Sequence, residues 1–203
     1  VVSPDGNFAY VGAKTAPLSG IVSVVDLRKR KRIENIVLSQ CGRGYKPTDI
    51  AISPDGSTMV LTGQVSGDAL IFDLSDPMAP SLTDVVDVNP MPWHPVFSPD
   101  GKFVYFANKG SNTVTVLNMD SRTVDAVIEG NGLAQPHGAA LSADGRYLFV
   151  TSNNRNGSYR PEGVSEDETD LPGTVTVIDT EKREIVKGIE VGRNATGIGT
   201  GNW

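Results

Sequence analysis

The sequence predicts an all-β fold, a β-propeller built from four-stranded antiparallel blades. Three observations predict it: a four-residue turn motif recurs every 44 to 50 residues, several β-rich segments accompany each copy, and helical periodicity is missing. No segment of 11 residues keeps an apolar period of about 3.6 without a glycine or proline. Glycine (22 residues) and proline (13 residues) are frequent in this chain of 203, as expected for a turn-rich β protein.

The recurring motif is Ser-Pro-Asp-Gly, with alanine replacing proline in the last copy. In it the proline sets the φ angle of the second turn position, serine and aspartate accept bonds from nearby amides, and glycine tolerates a positive φ. The motif therefore predicts a tight turn that joins the first and second strands of each blade. Its four copies are Ser3–Gly6, Ser53–Gly56, Ser98–Gly101 and Ser142–Gly145.

Three further strands are predicted after each motif. The second strands are residues 8–11, 58–62, 103–108 and 147–153. The third strands are residues 22–26, 69–73, 114–118 and 175–179, and each ends in an Asp or Asn suited to begin a hairpin turn. The fourth strands are residues 32–38, 83–88, 123–129 and 184–191. Four short strands in roughly 45 residues are typical of a propeller blade.

The repeats divide the chain into blades of a single propeller. The predicted blades cover approximately residues 1–46, 47–91, 92–135 and 136–192, and residues 193–203 begin a further one. At roughly 46 residues per blade the chain holds about four blades. Because an open array of blades exposes two sheet faces, we expect the chain to be part of a larger ring of about seven blades; a complete four-bladed ring is the alternative.

These repeats resemble the YVTN-type propeller repeats of bacteria and archaea. The matching pieces are the Ser-Pro-Asp-Gly turn, the strand Tyr147–Asn153 and the segment Gly173–Thr180. Similar propellers occur in surface-layer and secreted repeat proteins, in haem-containing nitrite reductase, in nitrous oxide reductase and in the methylamine dehydrogenase heavy chain. The resemblance implies a periplasmic, cell-surface or secreted location.

Two histidines and a tryptophan are candidates for a site at one end of the propeller. Trp93, His94 and His137 lie where the chain enters first strands, at the end that binds ligands in many propellers. A neutral imidazole is able to ligate a metal, and a structural role in the loops is the alternative. Two ligands do not close a metal or haem site, so blades outside this chain would have to complete one.

An acidic insertion is the second candidate at the same end. From the motif serine to the end of the third strand the chain takes 23, 20 and 20 residues in the first three blades but 37 in the fourth, which places an insertion at residues 155–172. It carries Glu162, Glu166, Asp167, Glu168 and Asp170. Glu166, Asp167 and Asp170 are weak Ca²⁺ candidates because their spacing differs from that of a known calcium loop. Contact with a partner is the preferred interpretation of the insertion.

Composition and missing motifs restrict the remaining function classes. The net charge of −6 argues against nucleic-acid binding, and the basic run Arg28–Arg32 is expected to be a solvated turn at the opposite end. No apolar run approaches 18 residues, so no transmembrane segment is predicted. The lone Cys41 is expected to be a free thiol, and no catalytic or haem-attachment motif occurs.

These observations predict a non-enzymatic extracytoplasmic propeller that acts as a scaffold or a protein-binding module, without a cofactor. The predicted partner is another protein or subunit, bound through the candidate residues named above. The alternative is the propeller portion of a periplasmic redox enzyme or electron-transfer complex that carries a haem or metal.

Overall fold

The computed structural model describes residues 1–16, 19–38 and 45–200, the side chains of residues 15, 16 and 19 excepted. The described chain forms four antiparallel sheets. The first contains β1 (Phe8–Ala16), β2 (Ser19–Asp26) and β3 (Lys31–Val37). The second contains β4 (Pro47–Ile52), β5 (Thr58–Gly63), β6 (Asp68–Asp73) and β7 (Ser81–Asp87). The third contains β8 (Pro92–Phe97), β9 (Phe103–Asn108), β10 (Thr113–Asn118) and β11 (Thr123–Glu129), and the fourth β12 (Pro136–Leu141), β13 (Tyr147–Ser152), β14 (Gly173–Asp179) and β15 (Glu184–Val191).

Each sheet is a meander in which strands that follow one another in sequence also pair. This confirms the predicted all-β fold, with four-stranded antiparallel blades in the second, third and fourth sheets. The first sheet differs from the prediction: it has three strands, and β1 and β2 extend several residues beyond the repeat pattern. In that sheet Val2 pairs with Ala9 through an isolated bridge, at the place that a first strand takes in the other sheets. No described helix is long and apolar enough to span a membrane.

Neighbouring sheets share their cores, so a middle sheet is buried on both faces. Side chains alternate along a strand, and in β5 Met59 and Leu61 pack in the cluster shared with the first sheet while Val60 packs toward the third. In β9, Phe106 packs toward the second sheet and Tyr105 toward the fourth. This two-sided burial explains why the second and third strands of the middle blades are nearly continuous apolar runs.

The Ser-Pro-Asp-Gly turn has the same hydrogen bonds in all four copies. In the third copy the Ser98 hydroxyl donates to Asp100 Oδ1 (2.6 Å) and accepts the Phe103 amide (2.9 Å), while Asp100 Oδ1 also accepts the Lys102 amide (3.1 Å). Gly101 closes the turn with φ at 74°. The aspartate and asparagine that end the third strands cap the next turn as predicted, and Asn118 accepts the amides of Asp120 and Ser121.

The turns of successive blades also contact one another. A Cβ placed on Gly56 would lie 3.4 Å from the Pro4 ring, and one on Gly145 would lie 2.7 Å from the Pro99 ring. A Cβ on Gly6 would meet nothing within 4 Å. The proline of one turn therefore covers the glycine of the next, and the motif joins blades as well as strands.

Replacing Gly145 with alanine is expected to destabilise the protein more than replacing Gly6. Both glycines have a positive φ, which costs an alanine about 1–2 kcal/mol, so this strain is shared by the two variants. Gly145→Ala also forces a methyl group into the Pro99 ring, at a further cost of about 1–3 kcal/mol. Thermal unfolding of the two variants measures the difference; equal losses would show that the turns do not pack against each other.

The aspartates of the turns are expected to make stability depend on acid pH. The Ser98 hydroxyl, and then the Lys102 amide, lower the pKa of Asp100 below its ordinary value of 3.8. A carboxylate with a lower pKa in the folded protein contributes stability above pH 3.8, and that contribution is lost as the pH falls through the lower value. Asp100→Asn keeps one acceptor oxygen but does not titrate, so its melting temperature should fall less than that of the parent between about pH 5 and pH 2.5. Asp120→Asn, in the β10–β11 turn, is the control and should behave as the parent does.

Candidate functional site

The candidate residues on the first strands lie on bulges. The register with the second strand shifts between Pro47 and Ile50 in β4, between Pro92 and Pro95 in β8, and between Pro136 and Gly138 in β12. The residues at these shifts leave the regular ladder, and a bulge redirects side chains in this way next to many active sites. They are Thr48 and Asp49, Trp93 and His94, and His137.

Threonines on the second strands satisfy the amides that the bulges release. The buried Thr62 hydroxyl accepts the Asp49 amide (3.1 Å) and donates to the Trp93 carbonyl of the next blade (2.9 Å). Thr151 accepts the Gly138 amide in the same way (3.1 Å). The β4 and β12 bulges are thus held in place by buried hydroxyl groups, whereas β9 has Ala107 at the corresponding position opposite the β8 bulge.

Side chains at equivalent bulge positions of neighbouring blades meet in pairs. His94 Nδ1 lies 2.5 Å from Asp49 Oδ2. The Trp93 and His137 rings have centroids 4.1 Å apart and planes inclined by 34°. These residues line a pocket of about 250 Å³ together with residues 196–198, so the structure brings both histidines and the tryptophan into one site.

Lys109 lies over the Trp93 ring, beside the pocket. Its Nζ lies 5.1 Å from the centre of the Trp93 ring and donates to Asn153 Oδ1 (2.8 Å). Burial, and then the positive charge of Arg155, lower the pKa of Lys109. Burial also lowers the pKa of His137, which Lys109, His94 and Arg155 lower further against the raising effect of the Thr196 carbonyl. The His137 imidazole is therefore predominantly neutral at pH 7.

The acidic insertion is fixed to the sheet at its base. Asn154 Nδ2 donates to the carbonyls of Tyr159 and Pro172 (both 2.8 Å), which closes the insertion into a loop, and Leu171 is buried. Within the loop, Arg160 donates to the Ser165 and Glu168 carbonyls. The insertion has a defined shape although it contains no strand.

The acidic side chains of the insertion point outward and do not gather around one point. Asp170 pairs with Arg193 (2.7 Å), and Glu168 accepts the Asp170 amide. Glu162, Glu166 and Asp167 are exposed and have no ion pair to a described residue. Across the described ranges no three His, Cys, Asp or Glu side chains are grouped as metal ligands, so neither the histidines nor the insertion form such a cluster.

Several residues of the site were not predicted from the sequence. Asp49 occupies the same repeat position as His94, and that alignment was the available signal for their contact. Lys109 and Asn153 follow second strands, and Arg155 begins the insertion; only the packing of neighbouring blades shows that they approach one another. The basic run Arg28–Arg32 covers the exposed β2–β3 turn and the start of β3, next to the Ser-Pro-Asp-Gly end as expected. Cys41 lies outside the described residues.

No protein-family model matches the sequence, and no curated protein matches it. Solved structures do match its fold. Hydrazine synthase from Kuenenia stuttgartiensis gives a TM-score of 0.74 at 20% identity, over 94% of this chain and 48% of that one. A functionally unknown protein from Desulfotomaculum acetoxidans DSM 771 gives 0.70 at 19% identity, over 95% and 55%. A proposed 6-phosphogluconolactonase from Bacteroides uniformis ATCC 8492 gives 0.67 at 15% identity, over 96% and 55%.

The chain folds as consecutive blades of a β-propeller. The hydrazine synthase and 6-phosphogluconolactonase structures are propeller-like, and the four sheets described above correspond to blades. This chain spans about half the length of these solved structures. At 15–20% identity the likeness shows the fold alone, and the YVTN-type repeat family remains a resemblance.

His137 is expected to titrate below the ordinary histidine pKa of 6.5, and Lys109→Met is expected to raise its pKa. The variant removes a nearby positive charge that opposes protonation of the imidazole. An NMR titration of the two histidine rings measures both effects. Lys102→Met removes an equal charge in the turn before β9 and should leave the His137 pKa unchanged; an equal shift in both variants would contradict the assigned contact.

Proposed function

We propose that this propeller is a non-enzymatic binding module that docks a protein partner carrying a basic surface. The observation that carries the proposal is the insertion at residues 155–172, which has a defined shape and exposes three carboxylates that have neither an ion pair nor a hydrogen bond to a described residue. A pre-organised loop loses less conformational entropy on binding than a flexible one. Unpaired surface carboxylates attract a basic partner and accelerate its association.

The position of the insertion supports the same proposal. It leaves the propeller at the end where the loops before the first strands also lie, since the Arg155 and Asn156 amides both donate to Gln135 Oε1 (2.8 and 3.1 Å). A partner on the insertion would therefore also cover the pocket that contains Trp93, His94 and His137. An extracytoplasmic location belongs to this proposal and is supported by the resemblance to YVTN-type repeats.

The second candidate is the propeller portion of a redox enzyme or electron-transfer complex. Its support is the match to hydrazine synthase, which shares the fold of this chain, together with two histidines in one pocket. The visible absorption spectrum of the intact protein from its native source separates the two candidates. A haem or metal band that disappears in His94→Ala and His137→Ala would favour the enzyme, and a colourless protein would favour the binding module.

Neutralising the three unpaired carboxylates is expected to abolish docking. In the native cells, a carbodiimide that joins carboxylates directly to lysines should cross-link Glu162, Glu166 or Asp167 to a lysine of another chain. The triple variant Glu162→Gln, Glu166→Gln, Asp167→Asn should lose that product, because it lacks both the reactive groups and the charge. Mass spectrometry of the cross-linked peptides measures the loss.

A matched control carries the same change of charge away from the insertion. Asp120→Asn, Glu181→Gln and Glu184→Gln lie in the hairpins at the opposite end of the third and fourth blades and are exposed. This triple variant should retain the cross-linked partner at full yield. The proposal is wrong if the partner is lost from the control, or if it is captured only through carboxylates outside the insertion.

A further inference from the structure

Two cations at the end of the propeller that carries the insertion have no acidic partner. Lys109 lies in the β9–β10 loop and Arg155 begins the insertion, and neither forms an ion pair with a described residue. The insertion supplies five carboxylates nearby in sequence, but the one that pairs with a cation, Asp170, pairs with Arg193 (2.7 Å). Lys109 and Arg155 are therefore separated from the carboxylates of the insertion rather than paired with them.

Neutral oxygens hold the two cations in place. Lys109 Nζ donates to Asn153 Oδ1 (2.8 Å), and Arg155 Nε donates to Asn194 Oδ1 (2.7 Å). Asn153 is itself buried and donates to the Ala195 carbonyl (2.6 Å), so it is a rigid support. An amide oxygen fixes a cation without cancelling its charge, whereas a carboxylate would do both.

Most N–H donors of the two side chains have no hydrogen-bond partner among the described residues. An ammonium group has three N–H donors and a guanidinium group has five, and each of these side chains has one hydrogen bond to a described residue. Asn153, which holds Lys109, is bonded to Ala195, and the preceding residue Asn194 holds Arg155, so the two cations are anchored on neighbouring residues. Burial, and then the charge of Arg155, lower the pKa of Lys109. A bound anion would relieve that repulsion and accept the remaining N–H groups.

We propose that Lys109 and Arg155 form an oxyanion-binding site, which takes the carboxylate or phosphate group of a small ligand beside Trp93. The guanidinium group supplies a planar pair of donors that matches either oxyanion, and the ammonium group adds a point charge. The Trp93–His137 pair and the neighbouring pocket of about 250 Å³ provide an apolar and aromatic surface for the rest of the ligand. The carboxylates on which the docking of a partner protein depends are not part of this site.

Anion titrations at constant ionic strength test the site. Trp203→Phe leaves Trp93 as the single tryptophan, and the emission of Trp93 should change saturably when inorganic phosphate or acetate is added. Arg155→Gln should weaken binding about tenfold, the factor that corresponds to about 1.4 kcal/mol. Arg155→Lys, which keeps the charge, should bind more tightly than Arg155→Gln.

Lys109→Met needs a second readout because it removes the cation next to Trp93. The side-chain amide signals of Asn153 in NMR spectra serve both variants, and they should shift saturably in the parent and about tenfold more weakly in Lys109→Met. Lys102→Met, with an equal loss of charge at the opposite end, should bind as the parent does. Saturation by one anion alone identifies the bound group; no saturation by either, or equal binding by the parent, Arg155→Gln and Lys109→Met, would overturn the proposal.

Discussion

The burial of both faces of the middle blades is the constraint on which the rest of the structure depends. A strand between two cores has no solvent-facing side, so its polar backbone groups pair within the sheet and its side chains interlock with two neighbours. Met59 and Val60, adjacent in β5, belong to different cores for this reason. Variation is consequently restricted to the ends of the strands, where the motif turns close one end and irregular loops occupy the other.

The two ends of the propeller differ in how regular their turns are. At one end the four copies of the Ser-Pro-Asp-Gly turn repeat the same hydrogen bonds, and each proline covers the glycine of the next blade, which keeps that end regular. At the other end the first strands bulge, and the side chains at the bulges differ from blade to blade. Thr62 and Thr151 stabilise two of these bulges through backbone amides, so this support does not depend on which side chains the bulges carry.

Local chemistry explains which features could be predicted from the sequence. A proline, an aspartate and a glycine at fixed spacing determine a turn, and the recurrence of that turn determines a blade, so the strands and the insertion were predictable. The extension of β1 and β2 was not, since it lies outside the repeat pattern. The pairs His94–Asp49 and Trp93–His137 join residues about 45 apart, and their contact follows from the stacking of blades rather than from any local pattern. The approach of Arg155 to Lys109 has the same origin.

The two proposals are linked because the cations Lys109 and Arg155 are not paired with the carboxylates of the insertion. Carboxylates that are fixed by cations would leave a face that is neutral at close range, and neither a basic protein nor a small anion would gain much from binding it. Here neutral asparagines hold Lys109 and Arg155, and these two cations form no ion pair with the carboxylates of the insertion. Since Asn153 contacts Lys109 and Asn154 closes the base of the insertion, adjacent residues position both charged regions. An anion bound at Lys109 and Arg155 would cancel their positive charge and leave the carboxylates of the insertion as the dominant charge at this end of the propeller. Its binding is therefore expected to strengthen the docking of a basic partner.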